Sequence, residues 1–383
     1  MKQKWAFFIV LSIFFVITST WGLMAAGPTD IEQVRNKTVL DDRDFAVIDA
    51  FLRQAIGEFL TTKNFTDVAR LRTIILKNQK SNQPNQNQYT SQFSKSAHTY
   101  ISQAFDQALI LRPPERQTRV IVNLLILIDN LQDVQLLDLA MGKLNDENMA
   151  VRYWAVHAVT NPDIVKKLMS GDAQNRKLIL QITEQLKQII KTSTPEILGL
   201  IAQFAGNLNL PQGNELLGQI ADLRIQRYAD WTVKYERLDI AILELLADKI
   251  TSSSQSPAGA TTTESGKTAM ARRFGQLYSY VIERYIKGRN LTSTQRQQLI
   301  TVMAEIEEKC IGNLLGRQQN AIRTAVSERD MMALEAARTR LLSDELPSRL
   351  GYDYGTNPDG SKRTAPLPLP DQPLEPQSKP SES

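Results

Sequence analysis

The sequence predicts an all-α protein, built as an α-α superhelix in which antiparallel helix pairs stack as a solenoid. From about residue 41 to residue 342, apolar residues recur at three- and four-residue spacing, which is the helical period. No stretch shows the apolar–polar alternation of a half-buried strand. The helices follow one another with short connectors, which favours packing between neighbours in sequence.

The first predicted helix opens with Asp41, Asp42 and Asp44, where acidic side chains suit the helix dipole. A short helix follows at 65–76, and an Asn- and Gln-rich stretch at 78–92 predicts a solvated loop. The stripe of the first helix consists of Phe45, Ile48, Phe51, Leu52, Ile56 and Phe59. Further helices are expected near 90–111, 115–131, 134–144, 149–159, 176–191, 196–207, 215–228 and 233–250.

One segment, at about 132–160, resembles a HEAT repeat, in which two antiparallel helices meet at a tight turn. The residues that carry this resemblance are Asp146, Val151, Arg152, Ala155 and Val159. In the family, the Asp and the Arg form a ladder between stacked repeats, and the small residue lets the helices approach closely. Neighbouring helix pairs have the right length but lack the signature, so an irregular helical bundle remains the alternative.

The N-terminus has the pattern of a secretory signal peptide over residues 1–26. Lys2 and Lys4 precede an apolar run from Trp5 to Ile17, and small residues follow before Gly27. That run is shorter than the roughly 20 residues that span a bilayer. We therefore expect a periplasmic or extracellular protein, with an uncleaved segment tethered at the membrane surface as the alternative.

Composition changes twice towards the C-terminus. Residues 252–268 are rich in Ser, Thr, Gly and Pro, which predicts a flexible linker between a solenoid-like domain at 27–251 and a C-terminal helical block at 269–345. Residues 346–383 are polar and proline-rich, which predicts a disordered or polyproline-like tail.

Charge and residue inventory exclude several function classes. The formal net charge is +4, and two of those charges belong to the export segment, so the remaining chain lacks the footprint of a nucleic-acid binder. Cys310 is the one cysteine, and His98 and His157 are the two histidines. This set cannot build a disulfide or a Cys/His zinc site. We expect no cofactor, no metal and no catalytic residue.

Two short motifs suggest chemistry but do not have the required context. Gly266-Lys267-Thr268 looks like the end of a phosphate-binding loop, yet the required glycine position holds Thr261, and no strand precedes it. Glu264-Ser265 resembles the catalytic Glu-Ser of exported lytic transglycosylases, which also have an α-superhelical region. The downstream Gly-Leu-Met-Gln-like segment of that family is missing.

The expected function is therefore a non-enzymatic exported scaffold or adaptor that binds protein partners of unknown identity through a helical-repeat surface. A structural subunit that self-associates in an envelope or membrane-associated assembly is the first alternative. A glycan enzyme that resembles the lytic transglycosylases is the second alternative. Two sets of residues are candidates for partner binding: a basic edge with Arg272, Arg273 and Arg284, and the tail prolines Pro366, Pro368, Pro370 and Pro373.

Overall fold

The computed structural model describes residues 28–252 and 264–373. The predicted export segment at 1–26 lies outside the described residues, as do the centre of the predicted linker and residues 374–383. The chain divides into two compact units, residues 1–100 and 101–383, and the division falls within helix α4. No helix in the described part of the chain is both long and apolar enough to cross a bilayer.

Most of the described residues are helical, which confirms the predicted all-α class. Residues 28–108 form α1 Pro28–Arg35, α2 Asp42–Thr61, α3 Phe65–Lys77 and α4 Gln86–Ala108. Then follow α5 Pro114–Leu131, α6 Leu137–Met141, α7 Met149–Thr160, α8 Pro162–Met169, α9 Ala173–Ile189, α10 Pro195–Asn207, α11 Pro211–Ala229 and α12 Leu238–Ser252. The last helices are α13 Glu264–Lys287, α14 Ser293–Ile306, α15 Gly312–Leu315, α16 Ala321–Glu328, α17 Met331–Arg340 and α18 Leu346–Leu350.

Short segments of other helix types extend some of these elements. Two 3₁₀ segments lie at Val134–Leu136 and Ile190–Thr192, and two π segments at Glu307–Ile311 and Leu341–Glu345. The described chain holds one isolated antiparallel bridge, between Thr356 and Lys362, and no strand.

In the first unit, α2 packs against α1 and α3. Its start is fixed by a capping box in which Asp41 accepts the Asp44 N–H and the Asp44 side chain accepts the Asp41 N–H. The predicted stripe of α2 is buried except for the half-buried Phe45. The predicted solvated loop at 78–92 is shorter than expected, because α4 begins at Gln86, and the buried Ser81 donates to the Arg35 carbonyl at 2.7 Å.

In the second unit, the central helices contact one another in a continuous series. Helix α5 packs on α7, α7 on α10, and α10 on both α11 and α12. Helices α11 and α12 then pack against α13, which also contacts α14, α17 and α18. Packing of near neighbours in sequence is compatible with a helical solenoid.

Helix α13 lies at the centre of this arrangement. Every residue from Phe274 to Tyr285 is buried, including the polar residues Gln276, Ser279, Glu283 and Arg284. A helix that is buried on all sides has no water for its polar side chains, so its neighbours must supply hydrogen-bond partners.

The predicted domain plan therefore differs from the structure. The predicted linker at 252–268 and the separate helical block at 269–345 assumed that polar, Gly- and Pro-containing sequence marks a domain boundary. Residue 252 instead ends α12, residues 264–268 form the first turns of α13, and α13 packs on α11 and α12. Buried apolar residues such as Phe274, Leu277 and Val281 outweigh the composition of the short connector.

Residues 346–373 belong to the segment for which the sequence predicts a disordered or polyproline-like tail. These residues form α18 and then an extended segment in which Tyr352, Tyr354 and Leu369 are buried. The low apolar content of the tail is compensated by hydrogen bonds to polar side chains of α13, a contribution that composition alone does not show.

A buried ion pair joins α11 to α12. Arg224 and Asp239 are both 0% exposed, and the guanidinium forms two bonds with the carboxylate, at 2.7 and 2.9 Å. Tyr228 donates a third bond to the same carboxylate at 2.7 Å, and Arg224 also donates to the Lys234 carbonyl. Burial alone would lower the pKa of Arg224, but the adjacent Asp239 raises it above its usual value.

Substitution of Asp239 by Ala tests how much this ion pair contributes to the free energy of unfolding. We expect a loss of about 3–5 kcal/mol in the free energy of unfolding, because the Arg224 guanidinium stays buried without its partner. Urea denaturation measures this, with Asp222→Ala as the control, since the Asp222 pair with Arg273 is half-exposed and should contribute about 1 kcal/mol or less.

If Asp239→Ala does not fold, the double variant Arg224→Met, Asp239→Leu should recover most of the stability, because it removes both charges. Equal losses for Asp239→Ala and Asp222→Ala would contradict this assignment.

Candidate functional site

Three polar side chains on one side of α13 form a stripe. Gln276, Glu283 and Lys287 are separated by seven and four residues, so at about 100° per residue they lie within roughly 40° of one another around the helix. Gln276 and Glu283 are buried, and Lys287 is half-buried. The stripe is continuous along about three turns of the helix.

The C-terminal segment 364–373, called the strap here, lies along this stripe. Its core sequence alternates as Pro366-Leu367-Pro368-Leu369-Pro370. Since proline has no N–H, the two leucines supply the backbone donors of this core. Both donors are used: Leu367 N–H donates to Gln276 Oε1 at 2.8 Å, and Leu369 N–H donates to Glu283 Oε2 at 3.0 Å.

The strap carbonyls are bound as well. Gln276 Nε2 donates to the Leu367 carbonyl at 2.9 Å, so this one amide holds both main-chain groups of the residue. Lys287 Nζ donates to the Leu369 carbonyl at 2.8 Å, and Trp231 Nε1 donates to the Pro370 carbonyl at 2.9 Å. All of these contacts read the main chain of the strap.

The side chains of the strap are buried with a three-residue period. Pro366 and Leu369 are buried, whereas Leu367, Pro368 and Pro370 are exposed. Three residues per turn is the period of a polyproline II helix, which leaves its backbone groups free for external partners.

Charge is balanced at the centre of the stripe. The Glu283 carboxylate accepts from Lys287 at 2.6 Å, from Arg338 at 3.1 Å and from Ser279 at 3.2 Å, in addition to the Leu369 N–H. A carboxylate that is 2% exposed is costly to bury unless it is paired and fully bonded. The Leu369 amide thus completes the set of donors around Glu283.

An ordered turn at 351–363 holds the strap at the start of the stripe. Arg272 donates to the carbonyl and the carboxylate of Asp353, and Tyr354 donates to the Leu342 carbonyl at 2.8 Å. Gly275 makes this approach feasible, because a Cβ there would lie 2.3 Å from Tyr354 Oη. Burial raises the pKa of Tyr352 to about 12.

The loop between α11 and α12 forms the far side of the groove. Trp231 and Tyr235 have left-handed backbones, both with φ of 56°. Beneath Trp231 lies Arg284, which pairs with Glu236 at 3.2 Å and stacks 5.7 Å from the Trp231 ring. This stacking fixes the indole whose N–H binds the strap.

We call this surface the strap groove. It consists of Gln276, Glu283 and Lys287 on α13 together with Trp231 and the Arg289 N–H, which donates to Gln372 Oε1 at 3.0 Å. Apart from the Arg289 N–H, which binds a side-chain amide, its donors and acceptors match the N–H and C=O groups of an extended peptide. The chemistry it supports is non-covalent recognition of a main chain.

The predicted basic edge is not an open binding surface. Arg272 is bonded to Asp353, and Arg273 forms two bonds of 2.9 Å with Asp222. Arg284 is 3% exposed and pairs with Glu236. The charge of each arginine is balanced by a carboxylate within the fold, and Arg284 is also buried, whereas Arg272 and Arg273 are half-buried.

The tail prolines have separate positions. Pro366 is buried against the protein, Pro370 accepts from Trp231, and Pro368 and Pro373 are exposed. Of the four tail prolines, the structure therefore places Pro366 and Pro370 against the protein and leaves the side chains of Pro368 and Pro373 exposed.

The five residues of the repeat signature fall into two groups, one buried and one polar. Val151, Ala155 and Val159 are buried in α7. Asp146 lies in the preceding turn and accepts the Asn148 N–H, while the Arg152 guanidinium lies against the Met149 sulfur. Neither Asp146 nor Arg152 forms an ion pair in the described part of the chain, so the ladder implied by the resemblance is not formed there.

Other ionisable clusters are paired within the fold. Cys310 lines a cavity of about 220 Å³ beside Lys309, which bridges Glu244 and Glu305 at 2.9 Å each. Burial raises the pKa of the Cys310 thiol to about 12. A thiol with so high a pKa is a poor nucleophile at neutral pH.

The remaining acidic and histidine candidates have structural partners. His157 Nδ1 lies 3.0 Å from Asp129 Oδ1, which also accepts from Asn161. Glu307 accepts the N–H groups of Ile322 and Arg323 at the start of α16. Among the described residues, no group of three or more His, Cys, Asp or Glu side chains is placed to hold a metal ion.

Comparison with known proteins adds no functional information. No family model matches the sequence, and no curated protein matches it. Among solved structures, a crystal structure of an engineered protein from the Northeast Structural Genomics Consortium aligns at 13% identity, over 84% of this chain and 90% of that one, with a TM-score of 0.28. A likeness at that level carries no argument about fold or function.

Sequence reasoning missed Gln276, Glu283 and Trp231. Gln276 and Glu283 lie on the face of α13 opposite its apolar residues Phe274, Leu277 and Val281, so the helical period indicates a solvated face there. Their burial depends on the strap, whose Pro-Leu alternation supplies two amide donors at a regular interval.

The Gln276→Ala variant tests this assignment of the groove. We expect faster hydrogen exchange at the Leu367 amide, by about tenfold or more, because its acceptor is removed. The internal control is the Tyr354 amide, which donates to the Arg363 carbonyl in the ordered turn and should keep its protection. Unchanged exchange at Leu367 would show that the strap is not held by Gln276.

Proposed function

We propose that this protein is a non-enzymatic scaffold or adaptor, exported to the periplasm or the extracellular space, that binds protein partners through the surface of its helices. The observation that carries the proposal is the strap groove. Its side chains hold an extended segment through main-chain bonds, which is how many peptide-recognition surfaces gain affinity.

The arrangement of ionisable groups supports binding in preference to catalysis. In the groove, Glu283 already has four donors, and Lys287 is bonded to both Glu283 and the Leu369 carbonyl. A general acid or base needs a proton-transfer position open to substrate, and these groups are fully engaged.

A HEAT-like solenoid is the architecture that we propose for the series from α5 to α12. The burial of Val151, Ala155 and Val159 and the packing of α7 between α5 and α10 support it. Stacked helix pairs present long, continuous surfaces, which suits a scaffold.

An affinity-capture experiment tests the proposed function. One bait is the protein with Leu369→Asp, which opens the groove because a carboxylate would take the buried position of the Leu369 side chain. The matched bait carries the same change together with Gln276→Ala and Lys287→Ala. We expect proteins from the native envelope on the first bait to be lost from the second. The same set on both baits would contradict the proposal.

Self-association in a structural assembly is the second candidate function, and one apolar surface favours it. Met331 and Met332 on α17 line an open groove with Ile286 and Ala336, and Met332 is 84% exposed. Methionine-rich exposed surfaces are common at protein contacts.

Light scattering over a range of concentrations separates the two candidates. A structural subunit should gain mass with concentration and return to the monomer mass in Met332→Glu. The control is Leu180→Glu on α9, at a position that is 46% exposed. A constant monomer mass for the unaltered protein would exclude self-association and favour the scaffold.

A further inference from the structure

We propose that the strap groove is a binding site for extended partner peptides with a Pro-x-x-Leu pattern, and that residues 364–373 occupy it in cis as a pseudo-ligand. This inference rests on the proposed scaffold function and names the ligand class of its groove. It differs from the expectation of a free proline tail that is read by another module, because here the chain itself carries the receptor.

The first argument is the form of the contacts. Gln276, Glu283, Lys287 and Trp231 bind N–H and C=O groups of the strap, so any extended peptide with the same backbone form can make these bonds. Side chains that bind only main-chain groups can bind a separate peptide as well as a segment of the same chain.

The second argument gives the specificity. Pro366 and Leu369 are the buried side chains of the strap core, and they are three residues apart. The intervening Leu367 side chain is 45% exposed, and Pro368 is exposed. The pattern read by the groove is therefore Pro-x-x-Leu, with an N–H required at the residue after Pro and at Leu.

The third argument concerns the free-energy cost of ordering the peptide when it binds. Proline at alternate positions restricts the free peptide to extended conformers, so less conformational entropy is lost on binding. The Leu369 amide also completes the donors around a buried carboxylate, and hydrogen bonds to charged groups are stronger than neutral ones. A partner peptide must offer the same donor, or Glu283 loses a bond.

The tethered strap should suppress binding of a free peptide. The ordered turn at 351–363 is anchored through Asp353 and Tyr354 to the region where the stripe begins. A short tether of this kind raises the effective concentration of the strap to the order of millimolar. Partners must therefore compete with it, or bind when it is released.

Fluorescence polarisation with a labelled synthetic peptide of residues 364–373 tests the proposal. The protein is the full chain with Leu369→Asp, checked by circular dichroism for retained helix. If that variant does not fold, the milder Leu369→Ala chain replaces it. We expect saturable binding to the open chain and at least tenfold weaker binding to the unaltered chain.

Peptide variants show whether binding depends on the main-chain hydrogen bonds or only on burial of apolar side chains. N-methylation at Leu369 removes the N–H and keeps the side chain, and we expect at least tenfold weaker binding. Leu369→Ala in the peptide should also weaken binding. Leu367→Ala is the matched control and should bind within about threefold of the parent, because its side chain is exposed.

The results distinguish this proposal from the scaffold function. No binding of the parent peptide to the open chain, or equal binding of the N-methylated peptide, overturns the ligand class. If groove-dependent partners are still captured from the envelope, the scaffold function stands with a different ligand. Binding of the parent but not of the N-methylated peptide supports the proposal even where the capture experiment finds no natural partner.

Discussion

The burial of polar side chains on α13 is the constraint that organises the second unit. Gln276, Ser279, Glu283 and Arg284 are all buried within a helix that contacts neighbours on every side. A buried polar group without a partner costs about 1–3 kcal/mol, and a charged one costs more. The structure meets this demand for Glu283 from outside the helix, through Arg338 and the strap. Arg284 pairs with Glu236 in the loop between α11 and α12 and donates to the Val233 carbonyl, while its Nε and Nη1 have no hydrogen-bond partner among the described residues.

This constraint links the fold to the candidate site. The hydrogen bonds that satisfy the buried Gln276 and Glu283 side chains are the same bonds that hold the main chain of the strap. A groove of this kind needs no separate catalytic or metal-binding residues to have a function. Its occupant supplies the Leu367 and Leu369 partners of Gln276 and Glu283 and shields these side chains from water. The strap provides that occupant within the same chain.

The helical class and most helices could be predicted because apolar periodicity directly reports which face of a helix is buried. The stripe of α2 is an example. The domain plan could not be predicted in the same way, because the contacts of α13 with α11 and α12 depend on side chains far apart in sequence. The connector at 252–268 has the composition of a flexible linker, but composition does not reveal what the flanking helices touch.

The candidate site was predicted only in part. The sequence offers Pro366, Pro368, Pro370 and Pro373 as candidates for binding another module. It does not show that the segment contacts α13, because Gln276 lies about 90 positions earlier and pairs with Leu367 only in the folded chain. Arg284 was assigned to an exposed basic edge for a related reason. Helical spacing shows that arginines share an edge, but not that Glu236 and Trp231 cover it.

A double-mutant cycle in urea denaturation tests most directly whether the strap and α13 satisfy each other. The cycle compares the unaltered protein, Gln276→Ala, Leu369→Asp and the double variant. If the strap supplies the partners of Gln276, its substitution should cost little once Leu369→Asp has displaced the strap, giving a coupling of about 1–3 kcal/mol. Costs that add within about 0.5 kcal/mol would show that Gln276 and the strap do not stabilise each other, and would contradict the account.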